Sequence, residues 1–263
     1  MLIFTMLEYD FIRTAFAAGT LVAIVAGWVG FFLVLRNMTF AGHALSHVGF
    51  AGATGSVLIS ASPLWGLLAV TVAAAIGMGL LGDRLRGRDV AIGIVLSLSL
   101  GFGVLFLSLY STHATQATSI LFGNILGVSL ETVWTLSGLT AVSLCALALI
   151  SRPLLFATLA PELAEAKGVS LRLIAVLFLV LVAVAVAEAA QVVGVLLVFA
   201  LMVGPAATSL RLTSRIGRGI GVAIVLAIAE TWLGIALAYM SDWPTTFWIV
   251  LLSCTVYFVS LVR

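Results

Sequence analysis

Two histidines four residues apart carry the most chemical information in this chain. His43 and His47 lie within RNMTFAGHALSHVGFAGATG. On a helix this spacing puts both imidazoles on one face, about 6 Å apart along the axis. Such a pair is a bidentate grip suited to Zn, Cu, Ni or Fe. The competing reading is two interfacial histidines that hydrogen-bond backbone and water. The neighbours argue against hydrolysis. A zinc protease of the H-E-x-x-H type needs a glutamate directly after the first histidine, and Ala44 stands there. Ser46 lacks the glycine-flanked setting of an activated nucleophile. The residues around the pair (Ala41, Gly42, Gly49, Ala51, Gly52, Ala53, Gly55) are small, which lets helices approach closely or leaves room for a pathway.

Other polar residues interrupt apolar runs. Glu188 and Glu230 are single carboxylates, and such groups within a membrane cost several kcal/mol unless they meet a partner or a cavity. They are read as pairing with Arg13, as lining an outer vestibule together with Gln191, or as hydrated at the interface. Gly204-Pro205 interrupts GVLLVFALMVGPAATSLRL; a proline there frees a carbonyl one turn earlier, so the site is a hinge or gate element, or a static kink. His113 falls in a loop and needs no special role. Cys145 and Cys254 sit in apolar runs and read as small packing residues.

The elements that must position these groups follow from composition. Of 263 residues, 63% are hydrophobic and 8% charged, against about 25% charged in a soluble domain. The mean hydropathy of +1.30 agrees. The expected fold is all-α: a polytopic transmembrane helical bundle forming a single transmembrane domain over 1–263. Eleven Arg and one Lys oppose four Asp and six Glu, a net charge of +2. That is too little basic surface for a nucleic acid backbone. Lys167 is not preceded by a phosphate-binding glycine loop, so the chain is not expected to hydrolyse ATP or to be an enzyme. The N-terminus lacks the basic start and cleavage site of a signal peptide and reads as a retained span.

Apolar stretches near 12–35, 42–60, 64–82, 90–111, 131–150, 171–188, 192–210, 219–240 and 244–262 give nine candidate spans. Eight spans plus a re-entrant piece is the alternative, because the break at 188–194 is weak. With nine spans every basic residue except Arg13 falls on one side. The positive-inside rule makes that side cytoplasmic, with the N-terminus outside and the C-terminus inside. Ser111–Leu130 is expected to be a surface helix at an outer gate. Within 151–170, Pro161, the acids, Lys167 and Gly168 punctuate a short helix at about 161–167. No internal repeat is visible, so symmetry would come from pairing two copies.

Several segments together resemble the membrane permease subunits of bacterial ATP-driven zinc and manganese importers. They are RNMTFAGHALSHVGFAG at 36–52, SILFGNILGVS at 119–129, LAPELAEAKGV at 159–169, VVGVLLVFALMVGPAAT at 192–208 and SDWPTTFWIVLL at 241–252. The resemblance implies a bacterial inner-membrane protein and a dimer around a central pathway. Two ATPase subunits that bind ATP would dock on the cytoplasmic side, and an extracytoplasmic metal-binding protein would dock outside. It also implies that 151–170 couples the permease to its ATPase through Pro161, Glu162, Ala164, Lys167 and Gly168.

The metal site of such permeases pairs an Asp with a His four residues later. His47 matches the His, and His43 stands where Asp is common. Imidazole in place of carboxylate removes a hard oxygen ligand. Two such pairs across a dimer axis would offer four nitrogens, a set that favours tetrahedral zinc over manganese or iron. Zinc is thus the expected cargo, with no covalently held cofactor. A self-contained secondary cation transporter or channel using Glu188 and Glu230 is the alternative.

Overall fold

Alternation of long apolar runs with short polar breaks makes a helical bundle. The structure, a computed structural model, describes residues 8–81, 88–109 and 121–262. Helices α1 (Asp10–Leu35), α2 (Thr39–Leu58), α3 (Pro63–Leu81) and α4 (Arg88–Ser108) come first. A 3₁₀ turn at Ile125–Gly127 then precedes α5 (Leu130–Leu159) and the six-residue α6 (Pro161–Ala166). The chain closes with α7 (Leu171–Val193), α8 (Val195–Leu212), α9 (Ile216–Ser241) and α10 (Thr245–Leu261). Six of these are long and apolar enough to cross a membrane: α1, α3, α5, α7, α8 and α9. The apolar part of α4 and all of α10 are shorter.

Local chemistry sets the boundaries. Ser129 and Ser170 cap α5 and α7, each accepting from the amide three residues on. Pro161 opens α6, where a missing N–H costs nothing. The same helix ends in a Schellman motif: Val169 N–H donates to Ala164 O at 2.9 Å and Gly168 N–H to Glu165 O at 2.8 Å, with Gly168 at φ +80°. The inner connection is shorter than the sequence suggests. Helix α5 runs through Pro153 to Leu159, so much of 151–160 is helix and not a free connector.

The weak break at 188–194 is real and falls on Gly194. This residue has φ +82° and ψ 155°, a region closed to side chains, so α7 stops at Val193 and α8 starts at Val195. Gly123, at φ +74°, lies against it: a methyl added at Gly194 would meet Gly123 N at 2.2 Å. The 121–127 segment is thus wedged on the α7–α8 break, with Ile125 buried. This differs from the surface helix expected for 111–130, whose first part, including His113, lies outside the described residues along with Arg84 and Arg86.

At the centre, α1 packs against α5, α7, α8 and α9, while α2 packs against α3 and α4. Water-driven burial cannot separate apolar helices from lipid, so close backbone approach matters. Small residues allow it. A methyl at Gly30 would sit 2.0 Å from Met202 O, and one at Gly52 would sit 2.3 Å from Gly66 O. Several hydroxyls inside the bundle bond to their own helix, as Thr54 does on Phe50 O at 2.8 Å and Thr231 on Ala227 O at 2.8 Å.

Basic residues gather at one end. Arg172 donates to Leu80 O at 3.0 Å and Arg211 to Ser260 O at 3.5 Å, each reaching the carbonyl-rich end of another helix. Arg36 reaches Thr158 at 2.8 Å in the last turn of α5. Arg13 lies at the N-terminal end of α1, 3.5 Å from Asp10. Cys145 and Cys254 are exposed on the bundle surface, contrary to the packing role expected of them. An apolar helix in a membrane needs no buried face to hold an apolar residue.

Candidate metal centre

The histidine pair is assembled by α2 alone. Its four-residue spacing brings the rings to a centroid separation of 4.7 Å at 84°. Two imidazoles sharing one metal, with nitrogens about 2.0–2.1 Å from it, have centroids about 4.6–5.3 Å apart for angles between octahedral and tetrahedral. The centroid separation falls within that range, with the two rings in edge-to-face contact. Phe199 of α8 backs His43 edge-on at 5.1 Å. The Nδ1 atom of His43 is buried and has no hydrogen-bond partner. Both histidines are half-buried, and Phe40 extends the open strip of α2 by one turn.

The small neighbours behave as their sizes suggest. Gly42, Gly49 and Gly52 bring α2 against Leu33, Leu67 and Gly66, so the helix is held from behind while its histidine face stays open. Ser46 donates to His43 O at 2.7 Å. Its hydroxyl is committed to the helix backbone, which argues further against a nucleophile. No group of three or more His, Cys, Asp or Glu occurs among the described residues.

The carboxylates lie elsewhere. Glu188 is 1% exposed and accepts from Ser143 Oγ at 2.8 Å and Thr140 Oγ1 at 3.1 Å, joining α7 to α5. Glu230 is 3% exposed on α9, beside Ser253 of α10. Gln191 is half-buried. A cleft of about 340 Å³ lies at the end opposite the arginines, lined by Asn124, Val193, Asp242, Trp243, Thr245 and Thr246 among others. Glu188, Gln191 and Glu230 do not line it. The two glutamates are enclosed between helices and not opened to a vestibule, because their faces of α7 and α9 turn inward.

Gly204 and Pro205 lie within a continuous α8. A methyl at Gly204 would be 1.8 Å from Ser253 Oγ, so α8 packs directly against α10 there. On α6, Glu162, Lys167 and Gly168 are exposed. Ala164 is fully buried and anchors the helix to its own bundle, so it is unavailable to a partner. The 3.6-residue period turns Leu163 outward instead, 61% exposed. Sequence reasoning missed Leu163, and also Phe199 and the Arg36–Thr158 contact, which join residues far apart in the chain. A hydroxyl pair at 140 and 143, one turn apart, was the available signal for a partner to Glu188.

Apolar helices with their basic residues sorted to one end, and a histidine pair half-open inside, define a polytopic membrane permease. The chain belongs to the ABC 3 transport family, whose profile matches residues 8–263. It is a multi-pass inner-membrane component of an ABC-type transporter. It is 28% identical to the manganese transport system membrane protein MntC of Listeria monocytogenes, over 97% of this chain and 91% of the relative. Identity to MntC of Halalkalibacterium halodurans is 30%, over 96% of this chain and 87% of the relative. The solved structure of PsaBC from Streptococcus pneumoniae in complex with Fab superposes with a TM-score of 0.89 at 27% identity, covering 99% and 94% of the two chains.

Proposed function

We propose that this chain is the permease subunit of an ATP-driven importer of a divalent first-row metal, with His43 and His47 as its intramembrane ligands. The observation that supports this reading is the pair of imidazole rings 4.7 Å apart on a half-buried face of α2. One chain supplies two donors, and a second copy meeting the same face would complete four. The arginine-bearing end is the cytoplasmic side, which puts the N-terminus outside. Exposed Glu162, Leu163 and Lys167 of α6 meet an ATPase subunit there. An extracytoplasmic metal-binding protein delivers the ion at the opposite end, where the cleft lies.

Manganese is the favoured cargo, since the named relatives carry manganese systems. Zinc is the second reading, and the donor set favours it: two imidazoles with no carboxylate grouped beside them among the described residues. Metal-dependent ATPase stimulation and uptake by the reconstituted assembly test both. Substituting His43→Ala or His47→Ala should abolish uptake while the complex still assembles. Undiminished uptake in both variants would remove the site. Stimulation by Zn and not by Mn would select the second reading.

A further inference from the structure

One side chain at the basic end ties three elements together. Arg36 follows the last residue of α1, and α2 begins three residues later at Thr39. Its Nη1 donates to Thr158 Oγ1 at 2.8 Å, and the guanidinium carbon stands 5.7 Å from the ring centroid of Phe178 on α7. Thr158 itself donates to Leu154 O at 2.6 Å, so its oxygen is oriented as an acceptor for the arginine. Phe178 is fully buried and packs edge-on against Phe32 of α1 at 6.5 Å. A planar guanidinium held between a hydroxyl and an aromatic face has little freedom.

Both ends of this contact lead to functional elements. On one side, Met38 N–H donates to Leu33 O at 2.9 Å and Asn37 N–H to Val34 O at 3.0 Å. These bonds fasten the α1–α2 turn to α1, and α2 reaches His43 just over one turn after Thr39. On the other side, Thr158 is two residues from the start of α6 at Ala160–Pro161. Pro153 cannot donate to the carbonyl four residues earlier, so the backbone ladder of α5 lacks one hydrogen bond just before this last stretch. A push on α6 therefore moves the end of α5 first, and the hydrogen bond to Arg36 carries it to the turn that bears α2.

We infer that Arg36 is a positioning residue that couples the α5–α6 segment to the metal-binding helix through Thr158. The inference rests on the metal-permease reading above. The test uses the assembled transporter with its ATPase, reading basal ATPase, metal-stimulated ATPase and uptake with Mn or Zn as the probe. Thr158→Val removes the acceptor at nearly constant shape. It should lower metal stimulation and uptake about tenfold, the usual scale of a hydrogen bond to a charged group, while basal ATPase and assembly stay unchanged. Thr158→Ser should behave as wild type. Arg36→Met keeps the aliphatic stem and removes the donor, so it should lose at least as much as Thr158→Val, and the double variant should lose no more than Arg36→Met alone. Wild-type stimulation in Thr158→Val, or additive losses in the double variant, would overturn the inference. If Thr158→Val fails to assemble, Arg36→Met decides alone: wild-type stimulation refutes the contact. A wild-type complex with no metal response would instead sink the parent reading, and the coupling role with it.

Discussion

Gly194 and Gly168 allow a controlled comparison, because both hold nearly the same φ (+82° and +80°) in opposite surroundings. At Gly168 nothing lies within 4 Å of an added methyl. Alanine there costs only the left-handed backbone, about 1–2 kcal/mol. At Gly194 the backbone is in a region essentially reserved for glycine, worth about 1–3 kcal/mol. A methyl there would also lie 2.2 Å from Gly123 N and 2.3 Å from Phe122 C. Those atoms are main chain and cannot rotate away, so the 121–127 segment must lift off the α7–α8 break. The combined cost of Gly194→Ala is about 3–5 kcal/mol, taking the strain with the price of overpacking. Thermal unfolding of the two variants in the same detergent measures the difference. Proteolytic sensitivity near residue 123 should rise in Gly194→Ala alone. Equal midpoints for the two variants would refute the claim that the wedge is held by direct backbone contact.

Two other variants probe the remaining polar features. Glu188→Leu strips the acceptor from Thr140 and Ser143, whose hydroxyls then return to their own helix. The loss should be about 1–2 kcal/mol, given the modest worth of interhelical hydrogen bonds in membranes. Glu188→Gln should cost less than half of that, and thermal midpoints rank the two. Charge reversal by Glu162→Lys on the exposed face of α6 should abolish metal-stimulated ATPase while leaving the permease folded. Normal stimulation with normal co-purification of the ATPase would count against α6 as the docking element.

Much of the fold was legible because it is local. The nine apolar stretches correspond in order to α1–α5 and α7–α10 among the described residues, of which six are long and apolar enough to cross a membrane. The short α6 was readable from Pro161 and Gly168, since helix punctuation depends on a few adjacent residues. Its register was not: Ala164 was expected to face a partner and instead faces the bundle, and Leu163 took the outward position. The histidine pair was legible in type and spacing, and the structure added Phe199 behind it. Zinc was expected from the nitrogen donors, whereas the named relatives carry manganese systems. Donor chemistry alone ranks affinities, and a transported ion is also selected by geometry and supply.

From sequence alone came the helical class, the order of the apolar segments, the sorting of arginines and the common face of His43 and His47. Each of these follows from one-dimensional pattern, read through helix period or through the cost of placing charge in hydrocarbon. Tertiary structure alone decided which faces are enclosed. It buried Glu188 and Glu230, exposed Cys145 and Cys254, and brought Arg36 to Thr158 and Gly123 to Gly194. The physical reason is that lipid and protein interior are both apolar. A membrane helix can be hydrophobic all round, so its composition carries little record of which side meets a neighbour.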